Sequence, residues 1–242
     1  MNADGLSPAP TSLSPRADQP LLALDSASRR VSVAIWRPDG AILAAEESTG
    51  RHGSERLLQL IDEVLRDSGL ALTGLGGLLA LRGPGSFTGL RIGMATVLGL
   101  HEATGLPATA ISTLRVLGHT GRAASEAAGR PVTAVVDALR GEWFTQIFGP
   151  QAAGVARCLS LEELVAADCA VIVGADLEPL RAHRGWASPP LYIEVPTLAS
   201  HALSLATSEP VTWDAARLLT PLYLRGPSAV PQKPAAEGGP SA

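Results

Sequence analysis

Residues 76–105 read GGLLALRGPGSFTGLRIGMATVLGLHEATG, and the parsing of this stretch decides the fold. Leu78-Leu79-Ala80-Leu81 is a short apolar run of the length a fully buried strand needs. Gly83-Pro84-Gly85-Ser86 makes a loop, and an apolar helical segment follows from about Phe87 to Thr104. Strand, glycine loop and helix is an order that often binds phosphate, but the templates do not fit. A Walker loop places lysine directly after its last glycine; here Gly83 and Gly89 are six apart and Leu90-Arg91 follow. The dinucleotide fingerprint wants a third glycine where Thr88 stands.

The helix carries a different message. Gly89, Gly93 and Gly99 lie inside it, and each costs ~1 kcal/mol relative to alanine. Regaining about 3 kcal/mol takes roughly 120 Å² of additional apolar burial at ~25 cal/mol per Å². Gly89 and Gly93 are four apart and form one smooth patch against which another backbone can press. Leu90, Ile92, Met94, Val97, Leu98 and Leu100 spread around the cylinder. A helix apolar on all sides is buried on all sides. One side takes a sheet; the other takes a neighbouring helix of the same chain or a partner. Ser86 stands where a helix cap is expected, and no G-x-S-x-G elbow makes it a nucleophile.

Composition narrows the chemistry. The chain has 242 residues and a net charge of −4 with no basic run, so it does not announce nucleic acid. Its only lysine is Lys233, which excludes a Schiff base or a phosphate-gripping lysine from the body of the protein. Cys158 and Cys169 lack a histidine cluster and read as small buried hydrophobes. None of the five histidines pairs with another at metal-ligand spacing. Neither a leader peptide nor a run of ~20 apolar residues is visible, which predicts a soluble cytoplasmic protein without membrane contact.

In chain order, residues 1–19 read as a disordered proline-bearing tail. Strands are predicted at Leu21–Asp25, Val31–Trp36 and Ala41–Glu46, forming an antiparallel meander. Leu57, Leu58, Ile61, Val64 and Leu65 mark a helix over about 54–68 that Gly69 stops. After the opening stretch come a strand at 108–111, a helix from Ser112, and strands at 132–137 and 142–148. A capped helix at 159–167, a strand at 170–173 and a helix at 198–207 follow. Pro221 makes 218–224 an edge or irregular strand at most. VTAVVDALRGEWFTQIF repeats the plan of LLALDSASRRVSVAIW: apolar strand, aspartate, arginine-bearing turn, strand. Asp25 and Asp137 therefore occupy equivalent places in an internal repeat. At strand ends such aspartates either face a ligand or close their own turns.

The motif LRGPGSFTGLRIGMATVLGL, with LLALDSASRRVSVAIW, RHGSERLL, ISTLRVL, VVDALRGEWF and PLYLRG in order, resembles the TsaB (YeaZ) family. That family is the accessory subunit of bacterial tRNA threonylcarbamoyladenosine biosynthesis. The resemblance covers about residues 20–226. It implies two related α/β subdomains of the actin, Hsp70 and sugar-kinase type, each a mixed sheet with flanking helices. The halves are taken as 20–105 and 106–225, with 226–242 as a second disordered tail. Gln59 departs from the family, where proline commonly follows the Leu-Leu of the first helix.

The catalytic relative, TsaD, holds a metal with a His-x-x-x-His pair just after the strand opening its second half. This chain has Ile111-Ser112-Thr113-Leu114-Arg115-Val116-Leu117 there, so the resemblance implies a non-catalytic sibling without a metal. It implies a helical bundle with TsaD, or a homodimer when alone, built on Leu57, Leu58, Ile61, Leu65, Leu90, Gly93, Met94 and Val97. A TsaE-type ATPase and tRNA are then met only through the complex. No tightly bound cofactor is implied, with ATP or ADP at the partner interface as the open case. The peptidase label sometimes attached to such proteins finds neither a zinc set nor a nucleophile. The rival reading is a free-standing ATPase or small-molecule kinase of the same fold, using Asp25 and Asp137 around Mg–ATP.

Overall fold

Side-chain alternation sets which way each strand faces. In the computed structural model, which describes residues 14–48, 56–124, 127 and 129–224, strand β1 (Leu21–Asp25) points Leu22 and Leu24 to one face and Leu21 and Ala23 to the other. Strand β2 (Arg30–Trp36) does the same with Val31, Val33 and Ile35 against Ala34. Strand β3 (Ile42–Ser48) pairs antiparallel with β2 and completes the predicted meander. Helix α1 (Leu57–Ser68) ends at Gly69 in the left-handed conformation, as its sequence indicates; residues 54 and 55 of the expected range lie outside the described residues. Strand β4 (Gly77–Leu81) and helix α2 (Phe87–Thr104) take the predicted bounds to within a residue.

Strand β5 (Ala108–Ile111) pairs parallel with β4, which itself pairs parallel with β1. The first sheet therefore runs β3-β2-β1-β4-β5. This moves the division between halves from residue 105 to beyond Ala123, because β5 belongs to the first sheet and the helix after it is the counterpart of the one that ends the second repeat. Helix α3 (Thr113–Ala123) then crosses to the second sheet.

The second half repeats the order. Strands β6 (Val132–Leu139), β7 (Glu142–Phe148) and β8 (Arg157–Ser160) form an antiparallel meander. Helix α4 (Leu161–Ala166) leads to β9 (Val171–Gly174), helix α5 (Glu178–Arg181) to β10 (Leu191–Glu194), and helix α6 (Leu198–Ser208) closes the repeat. The second sheet, β8-β7-β6-β9-β10, matches the first strand for strand. Ser160 and Glu163 form the capping box that starts α4. The internal repeat is thus present in full, although β8, β10 and α5 are too short to leave a periodic signal.

Helices α3 and α6 are exchanged between the halves. The first half's α3 packs on β6, β7 and β9, while α6 packs on β1, β2, β3 and β4, and the two helices meet between the sheets. Leu79, Leu81, Leu114, Leu117, Val132, Val173, Leu198 and Leu203 make this shared core. Each fully buried aliphatic side chain there contributes ~1.5–3 kcal/mol. The outer face of the first sheet carries α1 and α2 over Leu22, Val33, Ile35 and Leu78. The outer face of the second is covered by Leu164, Leu177 and Leu180 with Trp186 and Tyr192 beside them. After α6 the chain returns to the first half, where residues 215–219 form a 3-10 helix and Leu222 N–H donates to the Arg82 carbonyl. No strand forms at 218–224.

Candidate functional site

Two places answer to the sequence expectations: the turn after β1 with its counterpart after β6, and the outer helices of the first half. Gly89 and Gly93 belong to the first. A Cβ at Gly89 would run into the Ser26 carbonyl oxygen, and one at Gly93 into the Ser26 hydroxyl. The Ser26 hydroxyl donates to the Gly89 carbonyl at 2.7 Å, and the Ser86 N–H donates to the Ala27 carbonyl at 2.9 Å. Ser86 Oγ accepts the Gly89 N–H at 3.3 Å, so it caps α2 as expected. Close backbone approach is therefore why these glycines are there, but what approaches is the chain's own turn and not a partner helix.

That turn presents Asp25, only 1% exposed. Its Oδ1 accepts the Ala27 N–H at 2.9 Å, whereas Oδ2 is sealed from solvent and makes no hydrogen bond of normal geometry. Burial pushes the carboxyl above the usual carboxylate range, against the pull of the nearby Ser28 hydroxyl and of the Ala27 and Ser28 N–H groups. Asp137 repeats the arrangement at the end of β6. Its Oδ1 accepts the Leu139 N–H at 2.7 Å. Both aspartates close their own turns. The structure brings the two turns together through Arg29, whose guanidinium lies 3.4 Å from Asp137 Oδ2 and 2.7 Å from Asp176 Oδ2. The sequence marks Arg29 only as part of an arginine-bearing turn and does not mark Asp176, because their contact is remote in sequence.

The α3–α6 seam holds one carboxylate among three basic side chains. Glu209 accepts from Arg115 at 3.1 Å, from Arg122 at 3.2 Å and meets His119 Nδ1 at 2.9 Å. Desolvation works to raise the Glu209 carboxyl, but the His119 and Arg115 contacts outweigh it and hold it below its ordinary value. No group of three or more His, Cys, Asp or Glu side chains is placed to hold a metal among the described residues. Cys158 is half-buried, Cys169 is buried, and both are free thiols.

On the outer helices, six of the eight residues assigned to a partner face point inward. Leu57, Ile61, Leu90, Met94 and Val97 are buried in this chain's own core, and Gly93 lies under the Ser26 turn. Their i, i+3, i+4, i+7 spacing marks the sheet-facing stripe. Leu65 is half-buried and Leu58 is 64% exposed. Nor is α2 buried all round: Thr88, Arg91, Ala95, Gly99, Glu102 and Ala103 are exposed, with Ile92 and Leu98 half-buried beside them. A Cβ at Gly99 would meet nothing within 4 Å. The outer surface of these helices thus carries Leu58, Ala95, Gly99 and Ala103 among charged side chains such as Asp62, Arg66, Arg91 and Glu102. The complement of the buried stripe, not the stripe itself, is the signal that locates this surface in the sequence.

Comparison with known proteins adds names to this geometry. Residues 45–155 match the family model described as TsaD, tRNA N6-adenosine threonylcarbamoyltransferase. A protein of Escherichia coli (strain K12) named tRNA threonylcarbamoyladenosine biosynthesis protein TsaB is 39% identical over 122 residues, 50% of this chain and 52% of that protein. Its namesake in Haemophilus influenzae is 37% identical over 128 residues, 52% of this chain and 53% of that protein. The chain matches about half the length of these curated relatives. A solved structure, YeaZ from Pseudomonas aeruginosa, is 30% identical with a TM-score of 0.66 and is covered over its whole length by 85% of this chain. The likeness therefore spans both halves. No helix among the described residues is long and apolar enough to cross a membrane.

Proposed function

Because the chain belongs to the TsaB (YeaZ) family, we propose that it is a non-catalytic scaffold subunit of the bacterial assembly that adds a threonylcarbamoyl group to the tRNA adenosine beside the anticodon. It docks on TsaD through the outer surface of α1 and α2, supports the active conformation of that subunit, and meets the TsaE-type ATPase through the complex. Alone, it pairs with a second copy through the same surface. ATP or ADP is assigned to the interface with TsaD and not to the isolated chain.

The observation that carries this reading is Gly99. An exposed glycine inside an 18-residue helix costs ~1 kcal/mol, and among the described residues nothing lies within 4 Å of where its Cβ would stand. A second helix laid across α2 would use the space a side chain leaves. Leu58, exposed on α1, supplies an apolar anchor. The turn bonds of Asp25 and Asp137, with Arg29 between the halves, further support a structural use of the place where a kinase of this fold would hold nucleotide.

The test is co-expression with the cognate TsaD followed by size exclusion. A 1:1 complex is expected from wild type, and Leu58→Arg and Gly99→Arg are expected to abolish it without lowering the melting temperature. Folded chain that never associates with TsaD, or variants that associate like wild type, would sink the proposal. Micromolar nucleotide binding by the isolated chain, lost in Asp25→Asn, would favour the free-standing enzyme instead.

A further inference from the structure

The first turn of α2 and the segment that returns from α6 make a surface that none of the above uses. The Phe87 and Tyr223 rings stack with centroids 5.1 Å apart. The Arg91 guanidinium lies 3.9 Å from the Phe87 centroid, and its Nε–H donates to the Tyr223 hydroxyl at 3.3 Å. Arg82 reaches the same segment, donating to Thr220 Oγ1 at 3.1 Å and to the Thr220 carbonyl at 3.3 Å. Arg217 begins the turn that the Thr220 hydroxyl closes. Phe87 is 47% and Tyr223 43% exposed, and Leu219 beside them is also exposed.

Arg82, Arg91 and Arg217 bring three positive charges to this surface. Arg29, Arg30, Arg115, Arg122 and Arg181 each face a carboxylate. Among the described residues, Arg82, Arg91 and Arg217 form no ion pair, although the chain as a whole carries −4. Partial burial and the neighbouring Arg217 charge press the Arg82 guanidinium below the usual arginine range. Arg82 and Arg217 repel one another, and Arg91 lies against the exposed pair of aromatic rings. Guanidinium groups with aromatic faces are what phosphates and unstacked bases require together.

We propose that Arg82, Arg91, Arg217, Phe87 and Tyr223 form an RNA-binding surface, with phosphates held by the guanidinium groups and an unstacked base on the aromatic pair. The choice of RNA over an acidic protein rests on the reading of this chain as part of a tRNA-modifying assembly. The arginine–aromatic surface itself does not rest on that reading. The chain then contributes its own RNA contact to the complex.

The test uses the full chain, a labelled unmodified tRNA transcript and fluorescence anisotropy over a salt series. Saturable binding is expected, its logarithm falling with log salt at a slope of about −2 to −3 for three phosphate contacts. Arg217→Gln is expected to flatten that slope by about 1. Tyr223→Ala is expected to weaken binding about fivefold or more with the slope unchanged. Arg82→Gln should act like Arg217→Gln; where loss of the Thr220 bonds lowers its melting point, the other two variants decide. The inference is overturned by no saturable binding up to about 100 µM, the weak end of non-specific affinity. Variants within twofold of wild type overturn it too, as does polyglutamate displacing the RNA at equal charge. The same variants are tested for association with TsaD. A chain that binds TsaD but not RNA overturns this inference alone, and one that binds RNA as expected but never TsaD overturns only the scaffold reading.

Discussion

The two halves pass through the same elements in the same order, yet their outer helices differ: 12 and 18 residues for α1 and α2, 6 and 4 for α4 and α5. The sheets beneath are of equal size, five strands each. In the second half, Leu164, Leu177 and Leu180 with Trp186 and Tyr192 are enough to cover the outer face. So a sheet of this size needs little helix over it. The additional turns of α1 and α2 exceed what the fold requires, and their outward surface is where Leu58 and Gly99 lie. Length without a packing need at home is what a docking element looks like.

The comparison can be broken at its most crowded point. Gly89→Ala drives a Cβ into the Ser26 carbonyl, which is backbone and cannot swing away, so a loss of about 4 kcal/mol or failure to fold is expected in urea titration. A tolerated alanine would mean that α2 is not held against the turn. Next in size, Leu177→Ala should cost about 3 kcal/mol, because the short cover of the second half has no redundancy. Leu58→Ala in the same assay should stay within about 0.5 kcal/mol. Equal losses at the two leucines would erase the distinction between the halves.

A smaller effect has the opposite sign. Gly99→Ala should stabilise the isolated chain by up to ~1 kcal/mol through helix propensity, while weakening association with TsaD. Stabilisation without that weakening would leave the glycine unexplained. The smallest effect separates the two aspartates. Burial holds the Asp25 carboxyl above its ordinary value, so the folded state keeps this proton more tightly than the unfolded state. Its contribution to stability therefore falls as pH rises from the ordinary carboxylate range through the raised value. Asp25→Asn removes that slope, and its stability relative to wild type should improve as pH rises above the ordinary carboxylate range, read in denaturant midpoints. A constant difference would mean that the carboxyl is not held up by its surroundings.

Much of this was legible in the residues, for physical reasons that also explain what was not. Leu21–Asp25 and Val132–Asp137 read as strands because buried strands are apolar on both faces. Gly69 and Gly105 marked helix ends because each takes the left-handed conformation. The bounds of α2 were plain, but its orientation was not. Apolar periodicity reports contact with something apolar and cannot say whether that is the chain's own sheet or another molecule. Met94 and Val97 were thus assigned to a partner when they pack with Leu22, Leu78 and their neighbours, and Leu90 when it is buried within this chain. The division at residue 105 failed for a related reason, since strand pairing of β5 with β4 is not written in either strand alone. The Arg29 bridge to Asp137 and Asp176 spans more than 100 residues of sequence and has no local signature.

The exchange of α3 and α6 has a consequence for how the protein can come apart. Each sheet is roofed on its inner side by a helix that the other half supplies. A cut in the connection near residue 128 would therefore yield two fragments, each missing a layer and each carrying an apolar helix with nowhere to go. Neither fragment is a domain in the sense of a unit that closes its own core. The polypeptide is in effect woven, and its two sheets gain or lose their shape together. A partner seated on α1 and α2 grips the whole subunit, although it touches only one half.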